Sequence, residues 1–455
     1  MPLRVQLATA VALVAAPVHV HAQWDLRDTT TRPSGRVNAA MVFDPTSGGA
    51  ILFGGSTTLP APSNQTWRWN GTDWTQLAPA TAPSGRYGIE LVHDVARGVC
   101  VMYGGWTSAI AIGSASNQTW EWNGTTWTQA TPAVDPGGLF NYALGYDTAR
   151  SRVVLYGGST SLAFPSAQHG TWEYDGTTWT LVATTADPGP LDRAAMAFHG
   201  GSGHTVLFGG VDPMVGGNDT TWLYDGATWA VAPVTGPRPP ARTGAVMVYD
   251  PFRDVCVLTC GANPTTGQRF DDTWEWDGAA WHQMPTTTTG VLDGCAAFLP
   301  SARQVVKFGG QQSFAPVVLN IETWEFGAKA TPFGTGCAGT AGTPTLVCTA
   351  PRLAQPFQAG LTNLSQPGNA AILFFGFSTF PAIDLAFLGM STCALLTEPV
   401  VILPIGGTGG SASWTWPAVF GFVGDAFYGQ ALALDPFANA LGYTISNGVS
   451  ARIGW

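Results

Sequence analysis

Four arginines stand in similar surroundings along the chain: Arg36, Arg86, Arg193 and Arg242, each just ahead of a short apolar run. Guanidinium groups brought to one point can hold a carboxylate or phosphate through paired N–H donors. The same groups spread between neighbouring units would instead satisfy loop carbonyls. Glu90 departs from this pattern, because the matching positions hold small or apolar residues such as Ala40, Ala143 and Val246. A carboxylate in that setting needs an arginine partner or water, so Glu90 reads either as half of an ion pair or as a ligand contact. The seven cysteines (Cys100, Cys256, Cys260, Cys295, Cys337, Cys348 and Cys393) include no Cys-x-x-Cys pair, and no histidine cluster accompanies them, which argues against zinc. Asp44, Asp94, Asp147 and Asp250 read as turn formers rather than calcium ligands. No catalytic residue, metal or cofactor is assigned.

The composition says what kind of scaffold must position these groups. Charged residues are only 11% of the chain, while Gly (57), Pro (33) and Trp (19) are abundant. With 45% hydrophobic residues the chain has apolar area to bury, and its turn-rich content favours short strands over helices. A net charge of −10 with two lysines, Lys307 and Lys329, argues against nucleic acid as a partner. Residues 1–22 read as a signal peptide, with Arg4 ahead of an apolar stretch and small residues before Gln23. No later stretch is long enough to serve as a transmembrane anchor. The expectation is a monomeric protein secreted, or held in the periplasm or cell envelope. An odd cysteine count leaves one unpaired; the others read as buried small residues with one or two disulfides.

A repeat organises the first two-thirds. Gly54-Gly55, Gly104-Gly105, Gly157-Gly158, Gly209-Gly210 and Gly309-Gly310 each end a short hydrophobic run, and Cys260-Gly261 stands in the remaining unit, at intervals near 50 residues. After each comes a variable loop and then two tryptophans seven apart, as in Trp67/Trp74, Trp120/Trp127, Trp172/Trp179, Trp222/Trp229 and Trp274/Trp281. Asn-Gly or Asp-Gly between them is a hairpin signal. Each unit therefore reads as four strands, and six such sheets bury their faces by packing radially, as in a β-propeller. The sixth unit has Trp324 but no second tryptophan. Trp24 near the mature N-terminus precedes the same Pro-Ser-Gly-Arg as Trp74 does, so the first strand is expected to complete the sixth blade and remove its open edge.

This pattern resembles the kelch-repeat β-propellers, of the type seen in the central domain of galactose oxidase, and covers residues 23–327. The resemblance implies six blades of a secreted bacterial type. Some kelch-like propellers are copper radical oxidases and some six-bladed ones act on sialic acid. Here the histidines (His93, His169, His199, His204 and His282) do not converge for copper, whereas Glu90 and the arginines keep a sugar isomerase-like enzyme open as an alternative.

Residues 331–455 carry six charged side chains and lack the repeat; they read as a small β-sandwich-like domain, with Cys337–Cys393 a possible disulfide. The start of this segment, 332–337, resembles C-terminal modules appended to secreted bacterial proteins, so a structural envelope role for the tail is a third reading. In a propeller the b–c loops and the links between blades share one face. Those loops vary and carry apolar residues (Leu59, Trp106, Ile110, Phe164, Met214, Phe270 and Phe314), as recognition loops do. The leading reading is a non-enzymatic protein that binds a protein or glycan through this face, with Arg36, Arg86, Glu90, Arg193, Arg242, Trp106, Phe164, Phe270 and Phe314 as candidate contacts.

Overall fold

The computed structural model describes residues 23–58, 61–108, 115–162, 166–284 and 288–327, and the strands with a few flanking residues between 330 and 452. The expected signal peptide at 1–22, loop residues Leu59, Ile110 and Phe164, and the cysteines Cys337 and Cys393 lie outside the described residues. Two compact units are present, Ala22–Ala328 and Lys329–Gly454. Both are all-β in their described residues, and no helix there is long and apolar enough to cross a membrane.

The first unit is a six-bladed propeller. In blade one, strands a to d are Val37–Asp44, Gly49–Thr58, Thr66–Trp69 and Trp74–Leu77, hydrogen-bonded in that order. Blades two to five repeat this from inner strands Leu91–Asp94, Ala143–Asp147, Asp192–His199 and Thr243–Asp250. Local chemistry fixes the c–d hairpins: Asn70 Oδ1 accepts the Thr72 and Asp73 amides at 2.8 and 2.9 Å, and Gly71 takes φ +95°. That side-chain turn is what an Asn-Gly pair offers.

Closure occurs in blade six, whose inner three strands are Cys295–Leu299, Gln304–Phe308 and Thr323–Gly327. Its outermost strand is Gln23–Arg27, antiparallel to Thr323–Gly327 with Trp24 opposite Phe326. A ring of side-chain hydrogen bonds shows how well this segment fits. The strand-d tryptophans Trp74, Trp127, Trp179, Trp229 and Trp281 each donate Nε1–H to the threonine that opens strand c of the preceding blade, at 2.8–3.1 Å. Trp24 makes the same bond to Thr273 at 2.8 Å. The core lies between blades rather than at the centre: Leu52, Trp69 and Trp74 of blade one, for example, pack on Cys295 and Phe308 of blade six.

The double glycines carry the inter-blade link. Gly54 and Gly55 take φ +73° and +85°, and a Cβ at Gly54 would lie 2.6 Å from Arg86 O, so only glycine fits without strain. Gly55 N–H donates to Arg86 O at 2.9 Å; the other five blades make the same bond to Leu139, Leu191, Arg242, Val291 and Arg36.

In the second unit, antiparallel strands Thr345–Cys348, Phe357–Thr362, Ser411–Trp416, Val401–Thr408, Ala370–Gly376, Ala426–Leu434, Gly448–Arg452 and Ala330–Phe333 pair in sequence across the sheet. Val401–Thr408 pairs along Ala370–Phe375 and, through Gly407 and Thr408, with Ser411 and Ala412, so it joins two groups of strands.

Candidate functional site

The inter-blade link defines which arginines are equivalent, and it corrects the sequence grouping. Arg36, Arg86 and Arg242 occupy the linking position; Leu139, Leu191 and Val291 occupy it in the other blades. Arg193 lies two residues beyond Leu191 and is not a fourth member. The three true members are buried, at 0–1% exposure. Arg86 donates to Ser84 O and Ser84 Oγ, to Gly104 O at 2.8 Å and to Gln118 Oε1 at 2.9 Å. Arg36 repeats this with Ser34, Gly54 and Gln65, and Arg242 reaches Cys260 O and pairs with both oxygens of Asp272. Burial pushes Arg36 and Arg86 down to about 10. Their donors are committed to the blade framework, so these three do not form a ligand-holding ring.

Two residues further along each blade is a different ring. Asn38, Gly88, Asn141, Arg193, Gly244 and Asp293 all take left-handed backbone conformations, with φ between +55° and +67°. Five of the six are tied by backbone bonds to the previous blade: Gly88 to Asn38, Asn141 to Gly88, Arg193 to Asn141, Asp293 to Gly244 and Asn38 to Asp293, at 2.8–3.0 Å. This belt narrows the central channel to a polar neck with a cavity of about 30 Å³, room for a water molecule or two. Glycine and asparagine tolerate this conformation, whereas an arginine held in it is strained by roughly 1–3 kcal/mol.

Arg193 is the cation of the neck. Its guanidinium lies 3.6 Å from carboxylate oxygens of both Asp192 and Asp293. Burial opposes its charge, but those two carboxylates hold it charged above the usual arginine range. Asp293 is raised by burial despite Arg193. Arg193 Nε and Asn141 Oδ1 make no hydrogen bond with the protein.

Glu90 sits below the neck, lining both it and a wider vestibule of about 260 Å³ that opens toward the a–b turns. Glu90 is exposed on the channel surface, while the surrounding strands enclose it. Enclosure first, and then the negative charge of Asp293, push its carboxyl up to about 8. Its backbone N–H donates to Tyr142 Oη at 3.3 Å. No arginine pairs with it, so the ion-pair reading does not hold among the described residues. The vestibule walls are mainly apolar, with Met41, Leu144, Met196 and Phe298 among them.

Above the neck, on the b–c loop face, a pocket of about 240 Å³ lies between blades three and four. Ser159, Ser161, Ser166, Asn141, Asp192 and Arg193 supply its polar wall; Phe140 and Leu162 lie on its apolar side. Ser159 Oγ donates to Asp192 Oδ1 at 2.8 Å, fixing one carboxylate oxygen. The expected aromatic rim is only partly realised. Trp106 is buried at 0% exposure, bridging to Tyr87 and Ala115 and packing on Phe140. Phe270 is half-buried under the Arg242 guanidinium at 4.3 Å. Phe314 and Met214 are exposed, at 59% and 83%. Phe314 stands on a β-ribbon of Gln311–Phe314 and Val317–Leu319.

Sequence reasoning missed Asn38, Asn141, Asp192 and Asp293. For Asn38, Asn141 and Asp293 the available signal was the run of Gly, Asn and Asp two residues after the linking position, residue types that accept a left-handed backbone; Asp192 lies one residue after it and carried no such signal. Among the described residues no group of three or more His, Cys, Asp or Glu is placed to hold a metal ion.

No family model and no curated protein matches the chain. Among solved structures it is similar to one described as "Structure of YjhT", at 13% identity and TM-score 0.48, over 67% of this chain and 97% of that one.

Proposed function

We propose that the protein is an exported kelch-type propeller that binds a glycan on its b–c loop face, in the pocket between blades three and four. One observation carries the reading. At the six equivalent neck positions only Arg193 is a cation, and it is kept there in a strained backbone conformation beside a pocket walled by hydroxyl, amide and carboxylate groups. Strain retained next to a polar pocket points to use. A volume of about 240 Å³ is below the range of roughly 300–1,000 Å³ common for drug-sized ligands, and suits one sugar unit of a longer chain. Leu162, 41% exposed, offers apolar surface to a ring face, and the serines and Asp192 offer partners to its hydroxyls.

A glycan array probed with the full chain tests this. Wild type is expected to mark a defined set of glycans, and Ser161→Trp, which fills the pocket, to lose them. An array without signal, or one unchanged by Ser161→Trp, would overturn the reading.

The isomerase-like alternative has one observation in its favour: Glu90, near 8, is a carboxyl suited to proton transfer at neutral pH. Yet the neck above it admits water and not a sugar ring, and the vestibule below it is lined by hydrocarbon. Binding on the loop face therefore has the stronger support. The role of the Lys329–Gly454 unit in envelope attachment belongs to the same proposal as a secondary expectation.

A further inference from the structure

The repeat is broken three times at one place. At the first-glycine position five blades have Gly54, Gly104, Gly157, Gly209 and Gly309; blade five has Cys260, held at φ +65°. Two positions earlier, five blades have Leu52, Met102, Leu155, Leu207 and Leu258; blade six has Lys307. Between these positions stands an aromatic residue in every blade except five, which has Thr259.

These departures meet across the seam between blades five and six. In the other blades the aromatic side chain packs on the strand-d tryptophan of the next blade, as Phe53 does on Trp127 and Phe208 on Trp281. Thr259 is too small for that contact, and Lys307 Nζ lies there instead, 5.3 Å from the centre of the Trp24 ring. Lys307 Nζ is 3.5 Å from Cys260 Sγ, 2.7 Å from Thr288 Oγ1 and 3.1 Å from Thr289 O. Both residues are buried, Lys307 at 2% and Cys260 at 0% exposure. Glu322 is the one carboxylate that acts on Lys307, and it does so without a direct ion pair. A lysine sealed from water favours its neutral amine, and here burial lowers Lys307 from its ordinary value. The free amine is the nucleophilic form.

We propose that Cys260 and Lys307 are a modification site, at which dioxygen links Sγ to Nζ through one oxygen atom. The thiol, the neutral amine and one O2 give the N–O–S bridge and one water. The S–H bond, one N–H bond and the O–O bond break, and S–O, N–O and the two O–H bonds of water form. Sulfur and nitrogen each lose two electrons, and O2 takes up all four; its second oxygen leaves as water with the two hydrogens. Nζ and Sγ are already in direct hydrogen-bond contact, so forming the bridge asks only for a small further approach of the two side chains. The bridge would tie the b strand of blade five to that of blade six, beside the Trp24 strand that closes the ring.

The test is mass spectrometry of non-reduced proteolytic fragments of the full chain, prepared in air and, separately, without oxygen. The expected result is a linked pair carrying Cys260 and Lys307, heavier than the two peptides together by one oxygen less two hydrogens. It should appear only in air, vanish after thiol reduction, and be absent from Cys260→Gly and Lys307→Leu. Each variant restores the residue found in the other blades, so folding is expected to survive, and near-ultraviolet circular dichroism of the tryptophans checks it. Cys260 recovered as a free thiol, or as a sulfenic or sulfinic acid beside unmodified Lys307, would overturn the proposal.

Discussion

Two rings run round the propeller two residues apart in each blade, and they obey different rules. The outer one repeats a single backbone bond in all six blades and, in the three that carry Arg36, Arg86 and Arg242, buries the arginine in the framework with the same hydrogen bonds. The inner one, from Asn38 to Asp293, repeats its backbone conformation but varies its side chains, and opens on the channel. A residue that recurs at an equivalent position with the same hydrogen bonds serves the framework of its blade. A residue that replaces its repeat counterpart, such as Arg193, Glu90 or Cys260, has no such general duty, and its chemistry is specific to its place.

That contrast can be broken or sharpened by substitution. The largest effect is expected from the closing strand, which belongs to the repeating class. Trp24→Ala removes a buried indole and its bond to Thr273, and should cost about 3–5 kcal/mol, read from the denaturant midpoint. Arg86→Ala leaves buried carbonyls of the framework without a donor and should cost about 2–3 kcal/mol, with glycan binding by the folded fraction unchanged. A loss of binding with no loss of stability would erase the distinction between the rings. Glu90 predicts a pH effect. Its folded value of about 8 lies above the ordinary 4.5, so the folded state holds the proton more tightly. Its contribution is full below 4.5 and is lost as pH rises toward 8 and beyond. Glu90→Gln should therefore match wild type near pH 4 and exceed it in stability at pH 9, as thermal melts across pH will show. The smallest stability change is expected at Arg193→Gly, under about 1 kcal/mol, because relief of left-handed strain offsets both the added freedom of the unfolded chain and the loss of long, partly exposed contacts to Asp192 and Asp293.

Much of this was legible before coordinates. Glycine pairs, tryptophans seven apart and Asn-Gly turns are local signals that each unit repeats, and the orphan Trp24 named the closing strand. The arginines were harder. Pro-Leu-Asp-Arg in blade four looks like the Pro-Ser-Gly-Arg of blades one and two, yet the inter-blade bond falls on Leu191, which moves Arg193 from the framework into the neck. Trp106 also misled, since its loop position suggested exposure while its edge pairing with Tyr87 and Ala115 buries it. The first error comes from a bond between blades, which no single repeat contains, and the second from pairing within blade two. The neck itself is written in residue types, but only once the six positions have been aligned through their hydrogen bonds.

The most direct test is titration of Arg193→Gly with a glycan selected by the wild-type protein, alongside its denaturation curve. The account predicts a midpoint close to wild type and affinity weaker by at least about tenfold, some 1.4 kcal/mol. Unchanged affinity in a fully folded Arg193→Gly protein would contradict it and return Arg193 to the framework.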